Sequence, residues 1–152
     1  MAQFSLQPLL EIMQNRADEA TRRLGQLIAA EQNAKTKLQM LEQYRAEYAD
    51  KLRDASTQGL TPLTLRNYQD FLARIDQAIE QQTAAMRFSE KETSHGQAHW
   101  QTQNKQLKAI DTLAQRHDAR ERVREGKREQ KLQDEFSSRQ YTTRSTDQEP
   151  DN

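Results

Sequence analysis

Three groups of residues have types and spacings that could do chemistry. His95 and His99 stand one helical turn apart with Glu92 on the same side, a spacing at which imidazoles can share a metal. A tetrahedral protein cage needs further fixed ligands, so solvated histidines are the expected reading, and His117 is isolated. The second group is the run 115–131, QRHDARERVREGKREQK, where seven basic and four acidic side chains leave +3. Its interleaved acids and lack of aromatics argue against nucleic acid, which wants uncancelled charge and stacking platforms. Asp118 and Arg122 are spaced as a helix-supporting pair. The third group is two aromatic stripes at i, i+4, i+7, i+11: Lys37, Leu41, Tyr44, Tyr48 and Phe71, Ile75, Ala78, Gln82. Clustered aromatics on a polar chain suit a protein interface, or else they widen a helix seam. No nucleophile motif, glycine-rich phosphate loop or metalloprotease signature is present.

Composition limits the scaffold that can position these groups. The chain has 152 residues, 34% hydrophobic and 30% charged, with 4 Gly, 3 Pro and no Cys. That is below the roughly 45–50% apolar content of ordinary domains and rich in helix formers. It supplies a seam but not an enclosed apolar pocket, which disfavours an enzyme. Net charge is zero, so global charge points to neither nucleic acid nor an anionic membrane. The first residues lack a basic and then apolar leader, no stretch is long and apolar enough to span a bilayer, and no cofactor is implied. A cytoplasmic protein is expected.

The elements follow from periodicity. Leu6, Leu10, Met13, Ala17, Ala20, Leu24, Leu27, Glu31, Ala34, Leu38, Leu41, Arg45, Tyr48, Leu52 and Ala55 hold an unbroken alternating 4-3 spacing. An ordinary amphipathic helix drifts off such a repeat by roughly 20° per heptad, so this is a coiled-coil seam. Ser5 is placed to cap the helix, Pro8 falls in its first turn, and Phe4 with Leu9 fits a hydrophobic staple. The stretch 56–62, STQGLTP, supplies Gly59 for a left-handed residue, Thr61 as the next N-cap and Pro62 as the first helical residue. Helix 1 is expected over about 5–56, the turn over about 57–61 and helix 2 over about 62–136.

Helix 2 resumes the spacing at Leu65, Tyr68, Leu72, Ile75 and Ile79, and carries it to Leu107, Ile110 and Ala114. Its middle, 82–99, is weak: Met86 is the main anchor, and Gly96 costs roughly 1 kcal/mol relative to Ala. A looser stretch is expected there. A short loop implies an antiparallel hairpin in which residue i meets about residue 118 − i. That register sets Ala17 and Ala20 against Trp100, Glu31 near Arg87, Tyr44 near Arg74 and Phe71 near Glu47. Past Ala114 the apolar pattern stops, so helix 2 should overhang its partner. Residues 137–152 have no period and are expected to be disordered. The fold class is all-α, a long antiparallel two-helix coiled-coil hairpin with an overhanging second helix.

Two segments carry a family resemblance: Lys37 with Leu38-Gln39-Met40-Leu41-Glu42-Gln43-Tyr44-Arg45-Ala46-Glu47-Tyr48, and Asn67-Tyr68-Gln69-Asp70-Phe71-Leu72 with Ile75 and Ala78-Ile79-Glu80-Gln81. They flank a glycine-containing turn as in the FliJ family of flagellar type III export, which the chain resembles over roughly residues 1–136. The resemblance implies a non-enzymatic stalk of the export machinery whose hairpin ends enter the pore of a hexameric export ATPase ring. It implies links from that ring to a membrane export gate, binding of export chaperones, and a place at the inner membrane of the flagellar base. The gate contact maps to Leu41, Tyr44, Tyr48, Phe71, Ile75, Ala78 and Gln82. Lys37 and Gln82 sit where the family pattern has other polar residues. With this function in view, the overhang with Arg116, Arg120, Arg122 and Arg124 becomes the expected ring contact. The chain is expected to act as a monomer without nucleic acid. The alternative is a generic structural coiled-coil adaptor that dimerises through its seam.

Overall fold

A computed structural model describes residues 5–146, and they form two helices, α1 (Gln7–Gln58) and α2 (Pro62–Thr146). The fold is all-α. Residues 1–4, with Phe4 of the expected staple, and 147–152 lie outside the described residues. Compactness divides the chain into two units: Gln14–Lys105, and Met1–Met13 with Gln106–Asn152.

Capping explains the helix ends. The Gln7 amide donates to Ser5 Oγ at 3.2 Å and the Leu10 amide to the Leu6 carbonyl at 2.9 Å, so Ser5 satisfies one of the orphan donors of the first turn. At the turn Gly59 has φ +93°, a conformation that a side chain would disfavour. The Thr64 amide donates to Thr61 Oγ1 at 3.2 Å, and Pro62 begins α2, where its missing N–H leaves no gap.

Within residues 14–105 the two helices pack antiparallel, as the contacts Trp100–Thr21, Thr93–Leu27, Gln82–Ala34 and Arg45–Asp76 require. All four lie within three residues of the 118 − i register. Every seam position of α1 in this unit is buried or half-buried. Ala17, Ala20, Ala34, Leu38 and Ile75 are the only apolar residues below a tenth exposed among those described. One helix has a single neighbour, so larger seam residues keep one flank in water while alanines disappear beneath them. Trp100 shows the match: its Nε1 donates to Thr21 Oγ1 at 3.0 Å, beside Ala20 and one turn on from Ala17.

The weak middle of α2 is unbroken helix, although among the described residues of α2 only Ile75 is buried. Polar contacts tie it across the seam. Gln82 Nε2 donates to the Ala34 carbonyl at 3.1 Å, and the Thr93 hydroxyl faces the carbonyls of Ser89 at 2.9 Å and Leu27 at 3.3 Å. A Cβ on Gly96 would lie 2.5 Å from Leu27 Cδ1, so the glycine makes room for a facing leucine.

The two seam charges find other partners than the simple register implies. Glu31 does not use Arg87: it pairs with Lys35 of its own helix at 3.2 Å and lies beside Thr93. Three of the four cross-seam contacts run two or three residues beyond 118 − i and Gln82–Ala34 falls two short, so the register that would set Glu31 against Arg87 is not kept. The Thr93 hydroxyl, then Lys35, holds the Glu31 carboxyl below its ordinary pKa. Arg45 donates from Nε and Nη2 to Asp76 on the opposite helix, the latter at 3.3 Å, and this bond holds the Asp76 carboxyl low. Both partners are about half-exposed, so the pair does more for register than for stability.

In the other unit, the 4-3 spacing of half-buried positions runs through Leu6, just before α1, Leu10 and Met13 on α1, and Leu107, Ile110 and Ala114 on α2. It does not stop at Ala114. His117 and Glu121 continue it, because their stems can be covered while their polar ends reach water. From Arg122 to Ser145 every residue is exposed, and α2 nevertheless runs to Thr146, past the expected helix end at 136.

The two lowered carboxyls generate a pH prediction. Each stabilises the fold above the ordinary carboxyl pKa of about 4 and ceases to do so as pH falls through its lower folded value. Glu31→Gln with Asp76→Asn is expected to melt below the parent at pH 7 and to match it by about pH 2, as followed by circular dichroism. A gap that persists undiminished into acid would exclude the carboxyl pairings as its source.

Candidate functional site

Near the turn, g positions of the two helical repeats face each other across one flank of the seam, and this brings the aromatic stripes together. The Tyr44 ring lies 6.1 Å from Phe71, edge-on at 67°, and 6.2 Å from Tyr48. Tyr48 and Phe71 are closest, with centroids 4.2 Å apart. Tyr68 completes the group, 5.3 Å from Tyr48. Such offset and edge-on pairs are each worth about 0.5–1.5 kcal/mol beyond the area they bury. The four rings therefore brace the hairpin just above its turn.

The members differ in what they offer a partner. Tyr44 is 48% exposed and is the outward ring. Tyr48, Phe71 and Tyr68 are half-buried, with edges available. Leu41 and Ala78 are half-buried on the same flank. Ile75 is 6% exposed and supports the face from beneath. Gln82 spends its amide on the Ala34 carbonyl. Seven residues of one stripe pair thus resolve into an outer ring, a flank and a buried support. Tyr68 was assigned to the seam by its spacing, and it also touches the cluster. Its position three residues before Phe71 was the available signal.

The basic candidates lie on the exposed part of α2. Arg116, Arg120, Arg122 and Arg124 are all exposed, and Arg124 sits 3.5 Å from Glu121. Arg122 is not within ion-pair distance of Asp118 among the described residues; Asp118 lies 4.0 Å from His117 Nδ1. At 100° per residue Arg116, Arg120 and Arg124 fall on one face, and Arg122 falls on the other with Asp118 and Glu125.

Among the described residues no three His, Cys, Asp or Glu are placed to hold a metal, so His95, His99 and Glu92 form no such group. The hollows are open grooves between surface side chains, such as that lined by Arg16, Glu19, Arg23, His99 and Gln103. No described helix is long and apolar enough to cross a membrane.

The buried and exposed members of the aromatic face separate in a stability measurement. Ile75→Ala should cost about 2 kcal/mol or more in urea unfolding, as a buried truncation does. Tyr44→Ala should cost less than about 1 kcal/mol. Equal losses would mean that Tyr44 belongs to the core.

Comparison with known proteins gives a consistent result. A family model described as flagellar FliJ protein matches residues 1–146. The flagellar FliJ protein of Salmonella typhi is 30% identical over 140 residues, covering 91% of this chain and 95% of that protein. The flagellar FliJ protein of Escherichia coli (strain K12) is 27% identical over 135 residues, covering 89% of this chain and 92% of that one.

Proposed function

The chain belongs to the flagellar FliJ family of export-apparatus components, and from that premise we propose that it is a non-enzymatic stalk with two separate contact regions. The exposed length of α2, with Arg116, Arg120, Arg122 and Arg124, binds and stimulates a hexameric export ATPase ring. The aromatic face of Leu41, Tyr44, Tyr48, Phe71, Ile75, Ala78 and Gln82 engages a membrane export gate. Export chaperones are further partners, and the protein works as a cytoplasmic monomer peripheral to the inner membrane. The observation that carries the reading is that every residue from Arg122 to Ser145 is exposed on a continuous helix. A helix that buries nothing of its own is marginal in water, and a contact made with a ring would supply what it lacks. Contacts made by charged side chains are weak and exchangeable, which suits a stalk that moves within its ring.

Tyr44 supports the second contact. Its ring leans on Phe71 and Tyr48 while nearly half of it faces water. A rigid, half-exposed aromatic is the type of side chain that anchors a protein interface.

The test is an ATPase assay on the purified ring. Removing residues 115–152 is expected to abolish stimulation, and unchanged stimulation would refute the ring contact. Tyr44→Ala with Phe71→Ala should keep stimulation and lose gate binding by tenfold or more, on the scale of about 2 kcal/mol for an aromatic anchor. Loss of both activities would return the aromatic face to an ordinary seam role. Light scattering should give a monomer mass.

A further inference from the structure

The run 115–131 looks mixed in sequence, but the helix sorts it. At 100° per residue Arg116, Arg120, Arg124, Lys127 and Lys131 fall within an arc of about 80°. Asp118, Glu121, Glu125 and Glu129 fall on the opposite side, Arg122 falls among them, and Arg128 lies on the border between the two sides. No acidic residue between 116 and 131 enters the basic arc. The result is a stripe of five cations about 22 Å long. Among the described residues only Arg124 of the five has a carboxylate within ion-pair distance, Glu121 at 3.5 Å.

Apolar side chains accompany the stripe. Leu113, 50% exposed, stands at its start, and Val123, 58% exposed, lies along its edge beside Ala119. Ala119 and Val123 floor a shallow apolar groove walled by the stems of Arg120, Arg124 and Lys127. Aliphatic residues among long cationic stems, with the heads spread outward, match the interfacial side of a helix lying on a lipid surface. Leu132 and Phe136 are also exposed but point to the acidic side.

We propose that the Arg116–Lys131 face of α2 is a docking surface for an anionic phospholipid bilayer. Charge complementarity selects the partner. Five cations along one line, four of them with no carboxylate within ion-pair distance among the described residues, suit an extended anionic surface, and each contributes on the order of a tenfold or smaller gain near such a surface. The stripe holds no large apolar or aromatic anchor, so charge rather than insertion of a side chain carries the contact. Single-stranded nucleic acid is disfavoured because the stripe holds no aromatic ring. Bare charge with small aliphatics needs only a headgroup layer. This surface shares Arg116, Arg120 and Arg124 with the proposed ring contact but does not rest on it, and a vesicle assay contains no ring.

The experiment is co-sedimentation of the full chain with phosphatidylcholine vesicles, with and without about one third phosphatidylglycerol. Binding is expected only with the anionic lipid, and to fall steeply between about 0.05 and 0.5 M salt. Arg120→Gln with Lys127→Gln should weaken it about tenfold or more. Arg139→Gln with Arg144→Gln removes the same charge off the stripe and should change it less than about twofold. All four positions are exposed, so both variants keep the parent's helical spectrum. Absence of binding to anionic vesicles overturns the proposal. Equal losses in the two variants overturn it in favour of unlocalised charge. Tighter binding to duplex DNA than to vesicles at the same salt reassigns the stripe to nucleic acid. A chain that ignores vesicles while its stripe variant fails to stimulate the ring reassigns it to an acidic protein surface.

Discussion

Two helices that meet along a 3.5-residue repeat share a strip only two side chains wide per heptad, and the remaining features of this chain follow from how narrow that strip is. Between Gln14 and Lys105 the buried residues are four on α1 and Ile75 on α2, and none of their side chains is wholly closed off from water. Most other leucines on the same line stay partly exposed because no third element covers them, Leu38 being the exception. Among the described residues so thin a core leaves little apolar interior. What the protein can offer is its flanks, where side chains beside the seam are held firmly at one edge and left free at the other.

The narrow core also explains the polar contacts across it. Apolar strips slide easily, whereas specific pairings set a register. Arg45 reaches Asp76, Gln82 reaches the Ala34 carbonyl, Thr93 reaches the Leu27 carbonyl and Trp100 reaches Thr21. Each is only partly screened from water and adds modestly to stability. Together they hold Tyr44 and Tyr48 level with Phe71 and Tyr68. A slip of one residue would turn the facing side chains by 100° and take the rings apart. The aromatic face therefore depends on the Arg45–Asp76 pair beside it and on polar pairings several turns away, as well as on its own stacking.

Much of this was legible before any coordinates, for identifiable reasons. The seam of α1 appears in the bare spacing because a sustained repeat has one structural meaning. Ser5, Gly59, Thr61 and Pro62 mark helix ends through chemistry confined to a few neighbouring residues. The height at which Tyr44 and Phe71 meet follows from counting outward from Gly59. Glu31 was harder to place, since choosing between Arg87 and its actual neighbours Lys35 and Thr93 needs register to better than three residues. The end of the protected pattern was also hard to see. His117 and Glu121 are half-buried although their types suggest solvent, because a stem can be covered where a head is not.

Residue order, then, is enough to specify two long helices, an antiparallel turn at Gly59 and kinship with the flagellar FliJ family, since these depend on local chemistry and a repeat carried over many turns. The packed helices settle which residue of each cluster faces outward. Tyr44 is the exposed ring while Ile75 lies beneath, and Gln82 is committed to the opposite backbone. The helical form of α2 likewise turns an alternating list of charges into one basic and one acidic side, with Arg122 on the latter. These outcomes depend on angle around an axis and on the neighbour across the seam. The angle can be counted along one helical stretch, but the neighbour across the seam is carried by no single stretch of sequence.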